Sequence, residues 1–468
     1  MFTYEELIAL GENNEEVAKF CESAVNYEKC KPEYKLALDA VQYDHNHNVT
    51  VENFERWLYK LNGQRVKDVY SANHRLGTHF FHRKNVQQVN YLLGKGITFG
   101  KADTKKKLGK DFEQKFKQLV HWGKVEGQSF IFWNVNHAEV FGYVATDTHP
   151  GFVPIYSDDT MTVKAGIMHR TKTINDEVLT IYRLYEPNGI TEYTKSNKKD
   201  EFIIKPKKGY INRKVSTQAE GTIIDEWINY DNGLLPIVPF YPNDNHVSEL
   251  DGYRESIDCY CLIKSGLANQ IDDFSNVYWL VKNAGGMNDK DIVQMLQRLK
   301  TVHATVVDSE ENGSGIEAKT LDVPYEARQK MLEILRTDLY DDMMLLDRRN
   351  MSAAQKTNQE LEMAYQPQDD YTNDLEYACY STMDGILFFV GIDDEARFTR
   401  NKIVNETEYM NMVNSAETHI STECYINHIP FLTPEEKEME IKIFLSEQQN
   451  QFIPPNKEDE NEEEEGAE

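Results

Sequence analysis

The hydrophobic pattern of this 468-residue chain changes its period near Gln128. From there to about residue 240, short runs such as SFIFWNV and FVPIYSDD are rich in β-branched and aromatic residues and are separated by Asn, Asp, Gly and Pro, which is typical of strands joined by turns. Pro187-Asn188-Gly189 has the composition of a hairpin turn. The stretch NGLLPIVPFYPND (232–244) closes this region, because its three prolines are incompatible with a helix or a central strand. We therefore expect an antiparallel β region of about 110 residues.

Helical patterns surround this β region. Residues 3–30, 51–93 and 105–121 precede it and have an amphipathic, charged pattern of helical period. After it, apolar residues from Glu249 to about Ala284 recur at i, i+3 and i+4, which predicts a helix of ~35 residues and ~50 Å that ends at a Gly-Gly pair. The predicted fold class is therefore α+β.

A smaller segment and two further helices follow. Residues 287–325 contain a short helix, a strand, an acidic Gly/Ser turn and a second strand. A helix then begins near Tyr325, and the polar stretch 343–358 separates it from a long helix at 359–390. Pro367 predicts a kink in this last helix, because proline lacks an N–H and its ring clashes with the carbonyl four residues back. The alternative is that Pro367 lies in the first turn of a new helix.

The segment Gly94-Lys95-Gly96-Ile97-Thr98 matches part of a phosphate-binding loop. Such a loop needs G-x-x-x-x-G-K-[ST] between a strand and a helix, because its backbone N–H groups wrap the phosphates. Here Val89 stands at the first glycine position, and Gly96 follows the lysine where Ser or Thr is required. The preceding apolar residues have helical spacing, so Gly94 is predicted to be a helix C-cap. No nucleotide or other cofactor is predicted.

The charge balance excludes some function classes. Lys and Arg total 51 against 78 Asp and Glu, a net charge of −27, whereas proteins that grip DNA tightly present basic surfaces. This argues against a sequence-specific DNA reader and against a nuclease, but not against a protein past which DNA slides. The six cysteines show no C-x-x-C or zinc spacing, so reduced thiols are expected. No apolar run approaches the ~18–20 residues of a membrane span, and the N-terminus has no secretory pattern, so no membrane partner is predicted.

Two residue patterns raise catalytic or metal-binding alternatives. Adjacent acidic residues suggest a two-metal nuclease, which stays open as a minor alternative, and the pairs are Asp158-Asp159, Asp272-Asp273, Asp341-Asp342 and Asp369-Asp370. Chance gives roughly 13 such pairs at this composition, so most are expected to be solvated. His74, His79 and His82 are close in sequence, but no carboxylate or cysteine completes a ligand set, so a surface or subunit-contact role is favoured. We predict neither catalytic residues nor a metal site.

Five stretches, in their order along the chain, carry a family resemblance. They are HRLGTHFFHRKNVQQVNYLLGKGITF (74–99), LLPIVPFYPND (234–244), ESIDCYCLIKSGLANQIDDFSNVYWLVKNAGG (255–286), TLDVPYEAR (320–328) and HISTECYINHIPFLTPEEKEMEI (419–441). Together they resemble the portal proteins of long-tailed bacteriophages, over roughly residues 50–450. The resemblance implies a portal fold with a mostly helical wing, stem and crown, an antiparallel β region in the wing and a small α/β clip. It also implies a ring, typically of about twelve subunits, at one vertex of the capsid.

The resemblance also implies a division of the chain and a set of partners. By it, residues 1–248 form the N-terminal wing, 249–286 the first stem helix, 287–325 the clip, 326–342 the second stem helix, 343–358 the tunnel loop, 359–414 the kinked wing helix and the segment after it, 415–453 the crown, and 454–468 a disordered acidic tail. The implied partners are double-stranded DNA that passes through the channel without sequence recognition, the terminase large subunit, a head–tail adaptor, and the major capsid and scaffolding proteins. The implied locations are the capsid vertex of the virion and, during assembly, the host cytoplasm.

Two segments are candidate functional sites under this resemblance. In the tunnel loop, the side chains expected to touch DNA phosphates transiently are Asn350, Ser352, Gln355, Lys356 and Asn358. Without the resemblance, an ordinary solvated turn is the favoured alternative. In the clip, the residues expected to dock terminase and adaptor are Asp308, Glu310, Glu311, Asn312, Gly313, Ser314 and Gly315. Pro367 is the candidate hinge beside the loop.

The acidic residues of the first stem helix suggest how DNA would pass. The predicted first stem segment contains six acidic residues, Glu249, Asp251, Glu255, Asp258, Asp272 and Asp273, against the basic residues Arg254, Lys264 and Lys282. An acidic lumen lowers the gain from counterion release that would otherwise hold DNA in place. The predicted function is thus a DNA channel with no enzymatic activity. A non-viral, acidic, oligomeric scaffold or adaptor protein without a channel is the alternative from another class.

Overall fold

The structure of the chain, a computed structural model, divides into two compact units. Unit 1 comprises residues 1–345 and 370–401, and unit 2 comprises residues 346–369 and 402–468. The structure describes residues 2–451 except 12, 60–62, 69–70, 102, 135–136, 161, 200, 217–222, 231–232, 275–277, 283–287, 289, 292–293, 295–314, 320–324, 348–357, 403–405, 430–431 and 433.

Helices and a small hairpin form the N-terminal part of unit 1. They are α1 (Tyr4–Ala9), α2 (Asn14–Cys30), α3 (Pro32–Asp44), α4 (Val49–Glu52), the paired strands β1 (Trp57–Tyr59) and β2 (Arg65–Lys67), α5 (Phe80–Leu93), β3 (Ile97–Phe99), α6 (Thr104–Leu108) and α7 (Phe112–Glu126). A capping box begins α1, because Glu6 N–H donates to Thr3 Oγ1 and Thr3 N–H donates to the Glu6 carboxylate, both at 3.3 Å. Pro32 opens α3, where its missing N–H costs nothing.

An eight-stranded sheet is the centre of unit 1. The strands after α7 are β4 (Ser129–Asn134), β5 (His137–Gly142), β6 (Gly151–Tyr156), β7 (Val163–Ile174), β8 (Glu177–Glu186), β9 (Gly189–Ser196), β10 (Phe202–Ile204), the separate pair β11 (Ile211–Ser216) and β12 (Ile223–Ile228), and β13 (Ile237–Phe240). The sheet has the order β10-β9-β8-β7-β6-β5-β4-β13, and its neighbours are antiparallel except β5 and β6. The predicted β region is therefore confirmed, including the hairpin in which Glu186 lies opposite Gly189. Pro239 lies in β13 at the sheet edge, where a residue without an N–H is tolerated.

The two faces of this sheet bury different clusters. On one face, Ile131 and Trp133 of β4 pack with α7, and Val153 and Ile155 of β6 pack with α2. On the other face, Phe130 and Phe132 of β4 and Phe152 of β6 join Phe141 of β5 and Tyr185 of β8 in an aromatic cluster. This alternation is the two-residue period of a strand that is buried on both sides.

Long helices follow the sheet. They and their strands are α8 (Arg254–Phe274), β14 (Tyr278–Lys282), β15 (Gly315–Lys319), α9 (Tyr325–Asp342), α10 (Asn358–Val390) and β16 (Ala396–Phe398), which pairs with β3. Unit 2 contains the first part of α10, and then α11 (Glu406–Ala416), a 3-10 turn (Glu417–His419), α12 (Thr422–Asn427) and α13 (Pro434–Gln451). The predicted helices near 325–342 and 359–390 are confirmed.

Three helix predictions are wrong in extent. Among the described residues of 51–93, the paired strands β1 and β2 and the non-helical residues 71–79 precede α5, which begins only at Phe80. The helix expected at 105–121 is divided at Gly109, whose φ of 91° lies outside the helical region. The helix expected from 249 to 284 is only α8, and Tyr278–Lys282 is a strand because its aromatic and β-branched residues find a partner in β15.

The Gly94–Thr98 segment is a helix-to-strand turn. Gly94 is the C-cap of α5, as predicted, and Gly96 has a φ of 80°. The Glu113 carboxylate accepts the Ile97 N–H at 3.2 Å. A side-chain carboxylate of α7 thus binds the backbone of this turn.

Candidate functional site

Most residues predicted to contact DNA or docking partners lie outside the described part of the chain. Those residues are Asn350, Ser352, Gln355 and Lys356 of the tunnel loop, and Asp308, Glu310, Glu311, Asn312, Gly313 and Ser314 of the clip. Asn358 is the first residue of α10, and Gly315 is the first residue of β15. The structure describes the framework from which both segments start.

A short ladder forms the base of the predicted clip. Strands β14 and β15 are antiparallel, with Tyr278 opposite Lys319 and Lys282 opposite Gly315. The pairing of Lys282 with Gly315 therefore brings the two ends of the predicted clip segment together.

The end of α9, which precedes the predicted tunnel loop, is anchored in unit 1. Leu339 and Met343 are buried. Arg83 Nη1 donates to the Tyr340 hydroxyl at 2.8 Å, and Gln88 Nε2 donates to the Met343 carbonyl at 3.2 Å. Both donors belong to α5, so this helix fixes the direction in which the chain enters the loop.

The helix after the predicted loop, α10, is anchored over its second part. Its residues Leu375, Cys379, Met383, Ile386 and Leu387 are buried in the cluster that contains α7 and β4. A Cβ on Gly385 would lie 2.8 Å from Val238, so the helix approaches β13 closely there. Pro367 lies inside α10 and is exposed, and the helix does not end at this residue. The alternative of a new helix that starts at Pro367 is therefore wrong, while the hinge role stays a prediction.

A buried ionic centre joins these segments within unit 1. Lys124 Nζ of α7 lies 3.1 and 3.0 Å from the two carboxylate oxygens of Glu249, just before α8. Lys84 of α5 and the Tyr371 hydroxyl of α10 also donate to this carboxylate. Both lysine side chains are fully buried, and Glu249 is 11% exposed. One carboxylate thus holds two cations and a hydroxyl that come from three helices.

The charges of the centre shift its titrations in opposite senses. Burial would raise the pKa of Glu249, but Lys124 and Lys84 outweigh it and lower that pKa to about 2. Burial lowers the pKa of Lys124 to about 7, although Glu249 opposes this shift. Two lysines share one anion here, and their combined charge keeps the Glu249 carboxylate ionised.

An extended segment before α5 lies along the buried stripe of α8. Leu76 N–H donates to Ser265 Oγ at 2.9 Å, and the Thr78 hydroxyl lies 3.3 Å from Cys261 Sγ. His74 N–H donates to Asn269 Oδ1. Residues 261, 265 and 269 are four apart, so one face of α8 binds this segment over two turns. The start of the segment 74–99, one of the stretches that carry the family resemblance, therefore packs against the helix predicted to be the first stem helix.

Two acidic residues of the predicted first stem segment are bound inside the chain. Glu249 is held by the ionic centre. Asp258 accepts a hydrogen bond from the Tyr43 hydroxyl at 2.6 Å and another from Asn48 Nδ2 at 2.9 Å. Long-range partners that periodicity does not reveal therefore engage both carboxylates within the chain. Asp251 and Glu255 are exposed, as a channel-facing role requires.

One set of side chains in the described part of the chain has metal-ligand geometry. It consists of Asp44, His82 and His121. The acidic pairs considered for a nuclease do not belong to it. The sequence interpretation missed the set, because Asp44 and His121 are far from His82 in sequence.

Among the described residues, no helix is both long and apolar enough to cross a membrane.

The chain is similar to phage portal proteins. The family model described as phage portal protein, SPP1 Gp6-like, matches residues 28–451. The portal protein of Clostridium phage phiCD119 is 24% identical over 371 residues, which cover 74% of this chain and 76% of that protein. The portal protein of Bacillus phage SPP1 is 24% identical over 433 residues, which cover 86% and 81%. A solved chain of the virion of a native gene transfer agent particle aligns over 78% of this chain and 90% of its own, with 11% identity and a TM-score of 0.37, too low to support an argument.

Proposed function

The chain belongs to the SPP1 Gp6-like family of phage portal proteins, and we propose that it assembles as a ring of about twelve subunits around a DNA channel at one capsid vertex. The family match over residues 28–451 carries this proposal. In the proposed function, a terminase motor packages double-stranded DNA through the channel, and the DNA leaves through the same channel at infection. The protein contributes a passage and docking surfaces, and no catalytic step is assigned to it.

The framework in unit 1 supports a channel loop at residues 343–358. The end of α9 is held by Arg83 and Gln88, so the loop leaves from a fixed point. Its proposed DNA-contacting residues are Asn350, Ser352, Gln355, Lys356 and Asn358, which are polar and suited to brief contacts with phosphate oxygens. Contacts of this kind do not depend on base sequence, as packaging of a whole genome requires.

The charge of the assembly supports passage rather than retention. Each chain carries −27, so a ring of twelve carries about 12 × (−27), or about −324. A negative wall gives little counterion release when DNA enters. We assign exposed carboxylates of the first stem segment, among them Asp251 and Glu255, to this wall.

The clip is the proposed docking site. Residues 308–315 would bind the terminase large subunit during packaging and a head–tail adaptor afterwards, and the pairing of β14 with β15, which joins the two ends of this segment, supports the proposal. Contacts with the major capsid and scaffolding proteins would place the ring at the vertex. Assembly would take place in the host cytoplasm, before the ring becomes part of the virion.

The mass of the purified protein tests the ring. Twelve chains of 54.4 kDa give about 650 kDa, and images of such particles should show a central hole. A monomer or dimer under conditions in which the protein is folded would contradict the ring and favour a scaffold or adaptor without a channel. Magnesium-dependent cleavage of DNA by the purified protein would instead favour the nuclease.

A further inference from the structure

Three potential metal ligands meet where three helices of unit 1 approach each other. The Asp44 Oδ1 atom lies 3.3 Å from His82 Nδ1, and Asp44 Oδ2 lies 2.9 Å from His121 Nε2. The ligand atoms of all three residues lie within 4.8 Å of one another. Asp44 is the last residue of α3, His82 lies in α5 and His121 lies in α7.

The separations suit a four-coordinate divalent metal. Zinc binds histidine nitrogen at about 2.0–2.1 Å and carboxylate oxygen at about 2.0–2.2 Å, which places neighbouring ligands of a tetrahedron about 3.3 Å apart. The 3.3 Å from Asp44 Oδ1 to His82 Nδ1 matches that value, and the 2.9 Å from the other oxygen, Oδ2, to His121 Nε2 is somewhat shorter, so the two histidines approach opposite oxygens of one carboxylate. Two imidazoles and one carboxylate also form a donor set that zinc accepts with a water in the fourth position.

The surroundings orient the donors and leave one side open. The Asp44 side chain is 9% exposed, and Asn85 Nδ2 donates to its Oδ1 at 3.3 Å, which fixes the direction of the carboxylate. His121 is 22% exposed and His82 is 43% exposed. The exposed side of His82 gives an ion access to the cluster.

We propose that Asp44, His82 and His121 form a binding site for one zinc-type divalent ion that fastens α3 to α5 and α7. The same α5 carries Lys84 of the ionic centre and Arg83, which holds the end of α9. A metal at His82 would therefore stabilise the helix on which the proposed loop framework depends. The alternative is that Asp44 only accepts hydrogen bonds from His82 and His121 and that no ion binds.

Cobalt binding tests the site directly. The full-length, untagged protein is stripped with a chelator and titrated with Co²⁺, whose d–d absorption reports a four-coordinate environment. We expect saturation at one ion per chain, loss of the absorption when Zn²⁺ is added, and a higher thermal unfolding temperature in Zn²⁺ than in chelator. Absence of a saturable four-coordinate spectrum would overturn the proposal.

Two substitutions locate the ion. His82→Gln removes a half-exposed ligand and should weaken Co²⁺ binding at least about tenfold, because even indirect partners of a metal contribute that much. The control His47→Gln changes an exposed histidine that contacts Glu52 outside the cluster, and it should bind as the wild type does. If His82→Gln does not fold, His121→Gln takes its place. Equal affinities in a folded cluster variant and in the wild type would place the ion elsewhere and refute the assignment.

Discussion

Glu249 provides the negative charge for two lysines that water does not reach. The substitution Glu249→Gln keeps the size of the side chain but leaves Lys84 and Lys124 without a counter-charge. We expect a loss of ~3–5 kcal/mol in the free energy of unfolding, the usual cost of breaking a buried ion pair on one side. Denaturant unfolding measures it. The control is Glu255→Gln, an exposed residue of α8 for which the change should stay within about 1 kcal/mol.

Lys124 should make stability depend on pH in the alkaline range. Its pKa is about 7 in the folded chain against an ordinary 10.5, so between these values the unfolded chain binds more protons. The free energy of unfolding due to this group therefore rises as pH increases from about 7 towards 10.5. We expect wild type to gain stability relative to Lys124→Met between pH 6 and pH 9. A difference between the two proteins that is constant across this range would contradict the low pKa of Lys124.

Residue roles were the part of this molecule that the sequence predicted least well. Glu249 and Asp258 were counted among the acidic residues of the predicted stem, from which an acidic lumen was inferred. Their partners Lys84, Lys124 and Tyr43 come from distant parts of the chain, and helical periodicity contains no information on such pairs. The same limit applies to His82, whose cluster partners Asp44 and His121 belong to other helices.

Gly166 shows how the sheet depends on one small residue. A Cβ at this position would lie 1.9 Å from the ring of Phe152, which is buried and stacked on Phe141. Gly166→Ala should therefore destabilise the protein by about 1–3 kcal/mol, since the aromatic cluster has to shift. Gly252→Ala is the matched control, because a Cβ there meets nothing within 4 Å. Equal unfolding temperatures for the two variants would show that the aromatic face is loosely packed.

Pro367 tests the hinge in α10. The helix runs through this residue, whose missing N–H breaks one backbone hydrogen bond. In Pro367→Ala the ring should still assemble, with a straighter helix and shifted loop positions, because the clash with the carbonyl four residues back is removed. A density map of the variant ring compared with wild type decides the matter. Unchanged helix direction and unchanged loops would remove the hinge role.

At the scale of elements, sequence patterns located the β region and the helices near 325–342 and 359–390. They failed where local propensity and tertiary pairing disagree. Residues 278–282 continue the apolar pattern of α8, yet they pair with β15, because aromatic and β-branched residues are stable in either state and a partner strand was available. The residues before Phe80 follow a helical pattern but lie extended along α8, which binds their backbone.

The clip is proposed to act as a docking site only in the assembled ring. Deleting residues 309–314 keeps Gly315 opposite Lys282, so the β14–β15 base stays closed. We expect rings of normal mass that no longer package DNA, because the proposed docking loop is lost while the subunit core is intact. Native mass and a packaging assay are measured on the same preparation. Rings that fail to form, or packaging at normal yield, would count against docking by the clip.

Lys356 tests whether the channel loop touches DNA. Lys356→Glu changes the net charge of each chain by −2, from −27 to −29. Lys106→Glu makes the same change on a side chain that is 82% exposed in α6, so total ring charge is matched and only position differs. We expect Lys356→Glu to slow packaging without affecting assembly, because a new negative charge faces the duplex within the ~8–10 Å Debye length of moderate salt. The deficit should shrink as salt concentration rises, whereas Lys106→Glu should package at the wild-type rate throughout. Wild-type rates for Lys356→Glu at every salt concentration would remove Lys356 from the channel, and equal slowing in both variants would assign the effect to the charge of the ring as a whole.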